Sequence, residues 1–517
     1  MTSAMTVIEG RRQRAPFSAS TDVVIVGSGS GGAVVARELA RAGLGVFVLE
    51  EGGHYPAAVY SKFSPTEGLR MLAREAGLGI ALGLGDTPLM SVMAGKCVGG
   101  SSVLTGGVCF RIPDDVLHDW STRLGLSELT PDALAPYFEE LERDLSVTTV
   151  PSTMRSRSTE LFVEGADKLG IPMKPLRRNA PRCKGAARCN FGCPNGAKMS
   201  VDVVMLPEAC ARGASILSDA LAERILVERG AARGVRGRFI DEETGEPRVP
   251  FEVRARAVVV ACGAIHTPGL LQKSGVATKH VGRNLTLHPA FRVGALFDER
   301  IDGWDGAMQS VYSDHFADDG LTLLGVYTAP NILAAAFPGV GREHRRIVRS
   351  LPNLAFFGAM VHDAAGGRVR RWLSREPLVT YRMSARDRAR LWRGVGILGE
   401  MAFAAGAREV LLPIFGADPI KRREDLRALV ASPPPARRVE CMSFHPLGSA
   451  RMSARPEDGV VKPNGESWRV SNLFVADGSI LPTSIGVNSQ LPVMAMALRL
   501  ARGIAATFAD EAYRRAA

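Results

Sequence analysis

The sequence predicts an α/β fold. Residues 22–50 run strand, G-x-G-x-x-G, helix, strand, acid, the order of a Rossmann-like dinucleotide-binding unit. Residues 257–261 form another buried apolar strand, followed by a helix, some 210 residues later. Residues 290–435 alternate β-rich and helical stretches and read as a separate α+β layer. Together they describe two domains, both discontinuous in sequence.

The elements follow in order. Residues 1–20 read as a disordered leader. Residues 23–26 are apolar and β-branched, the pattern of a buried parallel strand. Gly27 allows the tight turn, Gly29 lets a pyrophosphate approach the backbone, and Gly32 lets the helix pack against the sheet. The helix N-terminus offers free N–H groups to the phosphates. Gly43 stops the helix, and the next strand ends in Glu50, placed to bind ribose hydroxyls.

Residues 76–93 are apolar and glycine-rich and read either as a lid or membrane-touching surface, or as an irregular buried connection. GKCVGGSSVLTGGVCFR (95–111) holds two Gly-Gly pairs that let backbone run against a flat ligand. Residues 113–180 read as mostly helical, with a helix start at Pro131 and Asp132. In the loop 182–200, Cys183, Cys189 and Cys193 lack a fourth ligand for a closed zinc site. A thiol loop without metal is the favoured reading, and an iron–sulfur cluster is the rival. Hairpins are expected around Gly230 and after Asp241. Thr267 reads as a helix cap with Pro268 as first residue. SPPP at 432–435 marks a linker. A long helix is expected from about Leu491.

The net charge of +11 comes from scattered basic residues, without the basic block and interleaved aromatics of a nucleic-acid surface. Attraction to acidic partners or anionic membrane stays open. No apolar export region follows Arg11 and Arg12, and no run of about 18 uninterrupted apolar residues appears. Eight cysteines form no secreted disulfide framework, so the cytoplasm is the expected compartment.

Five motifs in order resemble one family, the glucose–methanol–choline (GMC) flavoprotein oxidoreductases. They are the loop Gly27/Gly29/Gly32 with Glu50, GKCVGGSS at 95–102, GAIHTPGLLQKSG at 263–275, FHPLGS at 444–449, and NLFVADGSILP with Asn488. VGRNLTLHP (281–289) and the cysteine loop look most like long-chain or fatty-alcohol oxidases and related bacterial dehydrogenases.

The resemblance implies FAD. Its flavin would lie beside Gly95, Gly99, Gly100, Ser101 and Thr105, with the pyrophosphate on Gly29 and near Asp477 and Gly478. Residues 224–227 would border the adenine. Leu104 stands where some members tether FAD through histidine, so binding should be non-covalent. His445 matches the catalytic histidine, whose imidazole suits proton abstraction from an alcohol. Asn488 matches the second active-site position and would hold the substrate oxygen. His54, His266 and His288 read as structural, and Cys441 as a buried thiol. No metal site is expected.

The implied organisation is an FAD-binding domain at 21–112, 201–285 and 440–517, with a substrate domain at 113–200 and 286–439. The implied reaction is oxidation of an alcohol, of lipophilic character, with oxygen or another electron acceptor. A GMC-fold hydroxynitrile lyase, a cluster-bearing electron-transfer subunit and a noncatalytic flavin binder are the alternatives. Oligomeric state is not readable.

Overall fold

The strand Phe17–Val26 sits at the centre of the first sheet, and its last four residues are almost wholly buried. It pairs in parallel with Val46–Leu49 on one side and with Pro247–Val260 on the other. Each buried Val or Ile there contributes on the order of 1.5–3 kcal/mol. Beyond Val46–Leu49 come Ser215–Ser218 and then Val7–Glu9. On the far side lie the antiparallel strands Ala231–Ile240 and Ala220–Glu228, while Leu473–Val475 pairs with residues 258–260. The computed structural model describes residues 5–516 apart from 242, 243, 277, 328, 337, 338 and 373.

Two sequence expectations change here. The described part of the leader is ordered: Val7–Glu9 extends the sheet by parallel pairing with residues 216–218, and the central strand begins at Phe17. Residues 1–4 lie outside the described residues. The helix after residue 260 starts at Gly263, not at Pro268, which lies inside it. Thr267 is no cap, because its hydroxyl is drawn to the buried Asp477 carboxylate.

The hairpin between Ala220–Glu228 and Ala231–Ile240 turns at Gly230, and the second hairpin follows Asp241. Pro131–Asp144 starts behind a Thr130 cap.

The second sheet has eleven strands among the described residues. Its middle is Ala290–Leu296 paired with Leu354–Val361, and the helix Ala385–Ala405 belongs to the same apolar core. Cys441–Ser443 joins this sheet between Met90–Val92 and Ala290–Leu296. Residues 76–93 are therefore not an irregular connection. They contain a short hairpin, Ile80–Gly83 with Met90–Val92, whose leucines point outward.

The C-terminal helix Gln490–Ala516 is long and apolar enough to cross a membrane by length and composition, yet most of its apolar window is buried in the protein. Leu491, Met494, Ala495 and Ala497 are fully buried in the same core as the first sheet, so it is a core helix.

Candidate active site

The helix Ser30–Arg41 begins at Gly29, and its first turn faces a cavity of about 660 Å³ between the two sheets. A Cβ on Gly29 would meet only Gly100 Cα, at 3.9 Å, so the space in front of the helix N-terminus is open. The neighbouring glycines do a different job. A Cβ on Gly31 would stand 1.8 Å from the Ala476 carbonyl, and one on Gly32 1.9 Å from that of Gly27. Gly31 was missed by the motif, because its need comes from the C-terminal strand edge rather than from the turn.

Glu50 reaches the cavity with its carboxylate already oriented. Oε2 accepts from the Ser28 N–H (3.0 Å) and hydroxyl (2.7 Å), and Oε1 accepts from the Gly52 N–H (3.0 Å). Burial raises its pKa. Ser28 is itself fully buried and accepts from the Gly99 N–H at 3.0 Å. One hydroxyl therefore couples the acid to the second glycine loop.

In that loop Gly95, Gly100, Ser101 and Thr105 line the cavity, whereas Gly99 lies behind the wall, against Asp202 and Val103. The Ser101 hydroxyl accepts from the Gly95 N–H, and Thr105 donates to Gln490 Oε1 at 2.7 Å. Leu104 has no group that bonds covalently to a flavin. Lys198, fully buried, donates to the carbonyls of Val103, Thr105 and Cys189. Arg178 donates to the Gly106 carbonyl and to Cys189 Sγ at 3.0 Å. The cysteine loop thus backs the 103–106 segment. Among the described residues no three His, Cys, Asp or Glu side chains are grouped to hold a metal.

The adenine-side expectation shifts. Ala220, Leu221 and Ala222 line the cavity and residues 224–227 do not, because the strand runs outward after Ala222. Asp477 lines the cavity but uses its carboxylate inward, accepting from the Gly263 and Ser479 N–H groups and from Thr267. Gly478 lies beside it, packed on Leu447.

The other end of the cavity holds His445 and Asn488. Asn488 Nδ2 lies 3.1 Å from His445 Nε2. His445 Nδ1, Asn488 Oδ1 and Gln490 Nε2 are buried without a hydrogen-bond partner in the protein, which marks this end as built for something else to bind. Burial, with His288 nearby, pulls the His445 pKa down to about 3, so the imidazole is neutral at physiological pH. On their strand, Glu440 and Met442 face the cavity while Cys441 is buried in the second core.

VGRNLTLHP acts as a clasp on the loop that carries His445 and on the one that leads to Asn488. Thr286 exchanges backbone hydrogen bonds with Leu447, and Asn284 donates to the Pro482 carbonyl. His288 is fully buried at φ 49°, a conformation costing on the order of 1–3 kcal/mol for a non-glycine residue. Asp363 holds it there, accepting from the Leu287 and His288 N–H groups and from Tyr381. His266 is at the cavity rim, bonded to Glu376 at 2.9 Å.

These features fit FAD. An open helix N-terminus, an oriented glutamate and close glycine loops suit the nucleotide, and unpaired polar atoms stand at the far end, where a ring system and substrate would meet.

Two family models, each described as GMC oxidoreductase, match residues 21–290 and 371–497. A GMC-type oxidoreductase of Mycobacterium tuberculosis (strain ATCC 25618 / H37Rv) is 40% identical over 488 residues, 94% of this chain and 76% of that one. A long-chain-alcohol oxidase of Arabidopsis thaliana is 30% identical over 505 residues, 92% of this chain and 66% of that one. Pyridoxine 4-oxidase from Mesorbium loti shares the fold, with TM-score 0.71 at 19% identity over 93% of this chain and 98% of that chain. Formate oxidase from Aspergillus oryzae RIB40 does likewise, with TM-score 0.73 at 17% identity, over 96% of this chain and 100% of that one. With the family models covering both the nucleotide loop and the His445/Asn488 end, the chain belongs to the GMC oxidoreductase family, the FAD-dependent oxidoreductases that act on CH–OH donors.

Proposed function

We propose that this enzyme oxidises a lipophilic alcohol to its carbonyl, with His445 as proton acceptor and Asn488 as the holder of the substrate oxygen. The observation that carries the reading is the 3.1 Å pairing of Asn488 Nδ2 with His445 Nε2 at the wall of the cavity. The Asn488 N–H occupies the single lone pair of the neutral Nε2, so a substrate hydroxyl reaches that nitrogen by displacing the amide. A hydroxyl entering there gives its proton to Nε2 and accepts the Asn488 N–H as negative charge develops on oxygen. Bound FAD supplies the hydride acceptor, and an acceptor such as oxygen completes the cycle.

The lipophilic part rests on the walls. Met308, Leu324, Val326, Met360 and Met442 line the substrate side. Methionine adapts to unbranched chains, having three rotatable bonds of its own. The long-chain-alcohol oxidase among the relatives points the same way.

The test is anaerobic reduction of the purified flavoprotein by a series of primary alcohols of increasing chain length. Bleaching that strengthens with length, and falls at least a hundredfold in His445→Ala, is expected. Unchanged flavin with cleavage of a cyanohydrin carbon–carbon bond means a lyase. Full bleaching rates in His445→Ala remove the assigned base.

A further inference from the structure

We infer that the outer face of the hairpin Ile80–Gly83 and Met90–Val92 is a docking surface for an anionic lipid bilayer, continuous with the mouth of the substrate cavity. The inference rests on the lipophilic-alcohol reading for its purpose but not for its geometry.

The geometry begins with register. Leu82 pairs with Thr380, and Thr380 pairs with Arg368, while Ile80 pairs with Ser91. Side chains directly opposite one another in a ladder share a face. The outer face therefore carries Ile80 and Leu82 in the middle and Arg368 and Arg370 on the edge strand, all exposed. Buried Ala81, Met90, Val92, Val369 and Tyr381 occupy the opposite face.

The apolar residues are not isolated. Leu78 is 76% exposed, Leu89 53% and Ile80 50%, with Leu82 and Leu84 between them. A soluble protein scatters such residues, so five large aliphatic side chains within twelve positions mark an interaction site.

Charge selects the partner. Arg368, Arg370, Arg371 and Arg382 are exposed around this face and form no ion pair among the described residues. Elsewhere in the chain many surface arginines are paired, as in Arg346 with Glu343 and Arg238 with Glu223. Of the acids close to the hairpin in sequence or across its ladder, Glu75 precedes Leu78, Asp86 faces Arg388 at 3.7 Å, and Glu376 is held by Arg74 and His266. Aliphatic side chains ringed by unpaired arginines match acyl chains beneath anionic headgroups, an arrangement a second copy of this basic chain would not complement.

The cavity supplies the continuity. Leu78 and Trp372 line its mouth and are also strongly exposed, Trp372 at 56%. Leu78 leads into the hairpin, and Trp372 follows the edge strand Gly367–Arg370. Tryptophan favours the headgroup level of bilayers. A lipophilic alcohol dissolved in the membrane would pass from the acyl region past Leu78 and Trp372 without crossing water.

The test is co-sedimentation of the FAD-loaded protein with vesicles of phosphatidylcholine containing 30% phosphatidylserine, at about 0.1 M salt, alongside pure phosphatidylcholine vesicles. Binding to the anionic vesicles, at least tenfold weaker to the neutral ones, is expected. None of the three positions in the variant Ile80→Ser/Leu82→Ser/Leu84→Ser lines the cavity, and it should bind at least tenfold more weakly, with unchanged flavin absorbance and melting temperature. Arg368→Glu/Arg370→Glu should bind more weakly too and is a second variant should the first misfold. Absence of sedimentation above the vesicle-free control overturns the inference. So does equal binding by both variants, or a dimer in analytical ultracentrifugation that the serine variant turns into monomer. Vesicle binding without flavin reduction by long-chain alcohols removes the substrate reading and leaves the docking surface; reduction without vesicle binding does the reverse.

Discussion

His288 Nδ1 donates to the backbone carbonyl of His445 at 3.1 Å. The direction follows from the other ring nitrogen. Nε2 faces the N–H groups of Ile485 and Gly486 at 3.2 and 3.1 Å, and these can only donate. Nε2 is therefore an acceptor, and the single proton of the neutral ring is on Nδ1. One imidazole ties the His445 loop to the 484–488 loop that carries Asn488. His288 is a positioning residue.

Replacing His288 with phenylalanine leaves two buried N–H groups unpaired, at about 1–3 kcal/mol each. The expected result is a lower melting temperature and a flavin-reduction rate down by roughly a hundredfold, since small displacements of the proposed catalytic pair are costly. Substrate binding, read from the saturation of that rate, should change little. A variant whose loss is entirely in binding would show that the loops do not depend on His288.

The pH dependence follows from burial. The pKa values of His445 and His362 are both pulled down to about 3. Below pH 6.5 the unfolded chain takes up protons at these positions that the folded chain does not. Their contribution to stability is complete above pH 6.5 and is lost as pH falls toward 3, by up to about 1.4 kcal/mol per unit for each histidine. Melting curves of wild type and His362→Gln should converge as pH drops. The flavin-reduction rate should stay flat from pH 8 to 5, and a fall centred near 6.5 would mean an ordinary exposed base.

Two adjacent glycines should separate cofactor binding from folding. Gly29→Ala meets no close atom and sits at φ −70°, so the chain should fold while FAD affinity drops by at least tenfold. Gly31→Ala drives a methyl into the Ala476 carbonyl and should abolish soluble protein. Flavin content per chain, with circular dichroism, distinguishes them. Full FAD retention in Gly29→Ala would take the pyrophosphate away from this turn.

Lys198→Met should weaken the cavity-lining 103–106 segment. Three carbonyls lose their donor in a buried site, an expected cost of about 2–4 kcal/mol. Flavin release during thermal unfolding should move to lower temperature than in wild type. An unchanged release temperature would show that the 103–106 backbone holds itself.

The nucleotide half was legible because its demands are local. Gly27, Gly29 and Gly32 act within one turn, and the apolar run at 23–26 announces a buried strand regardless of what packs on it. His445 and Asn488 were legible by motif, but their 3.1 Å pairing was not: they are 43 residues apart, and two separate loops must meet to form it. His288 read as structural, which its burial bears out, yet its role depends on partners from 157 and more positions away. Lys198 gave no signal, since a lysine among polar loop residues ordinarily faces water. The early strand Val7–Glu9 was hidden because only its partner Ser215–Ser218 makes it a strand.

By itself the sequence determined the α/β class, the glycine-rich turn, the family and the pair His445/Asn488 to which the chemistry is assigned. These rest on spacing along the chain and on residue chemistry. The tertiary structure alone decided which glycines face the cavity, which imidazole nitrogen carries a proton, and which leucines remain outside. Those depend on contacts between segments far apart in sequence, where burial and hydrogen bonding are set by what folds against a residue rather than by its neighbours in the chain.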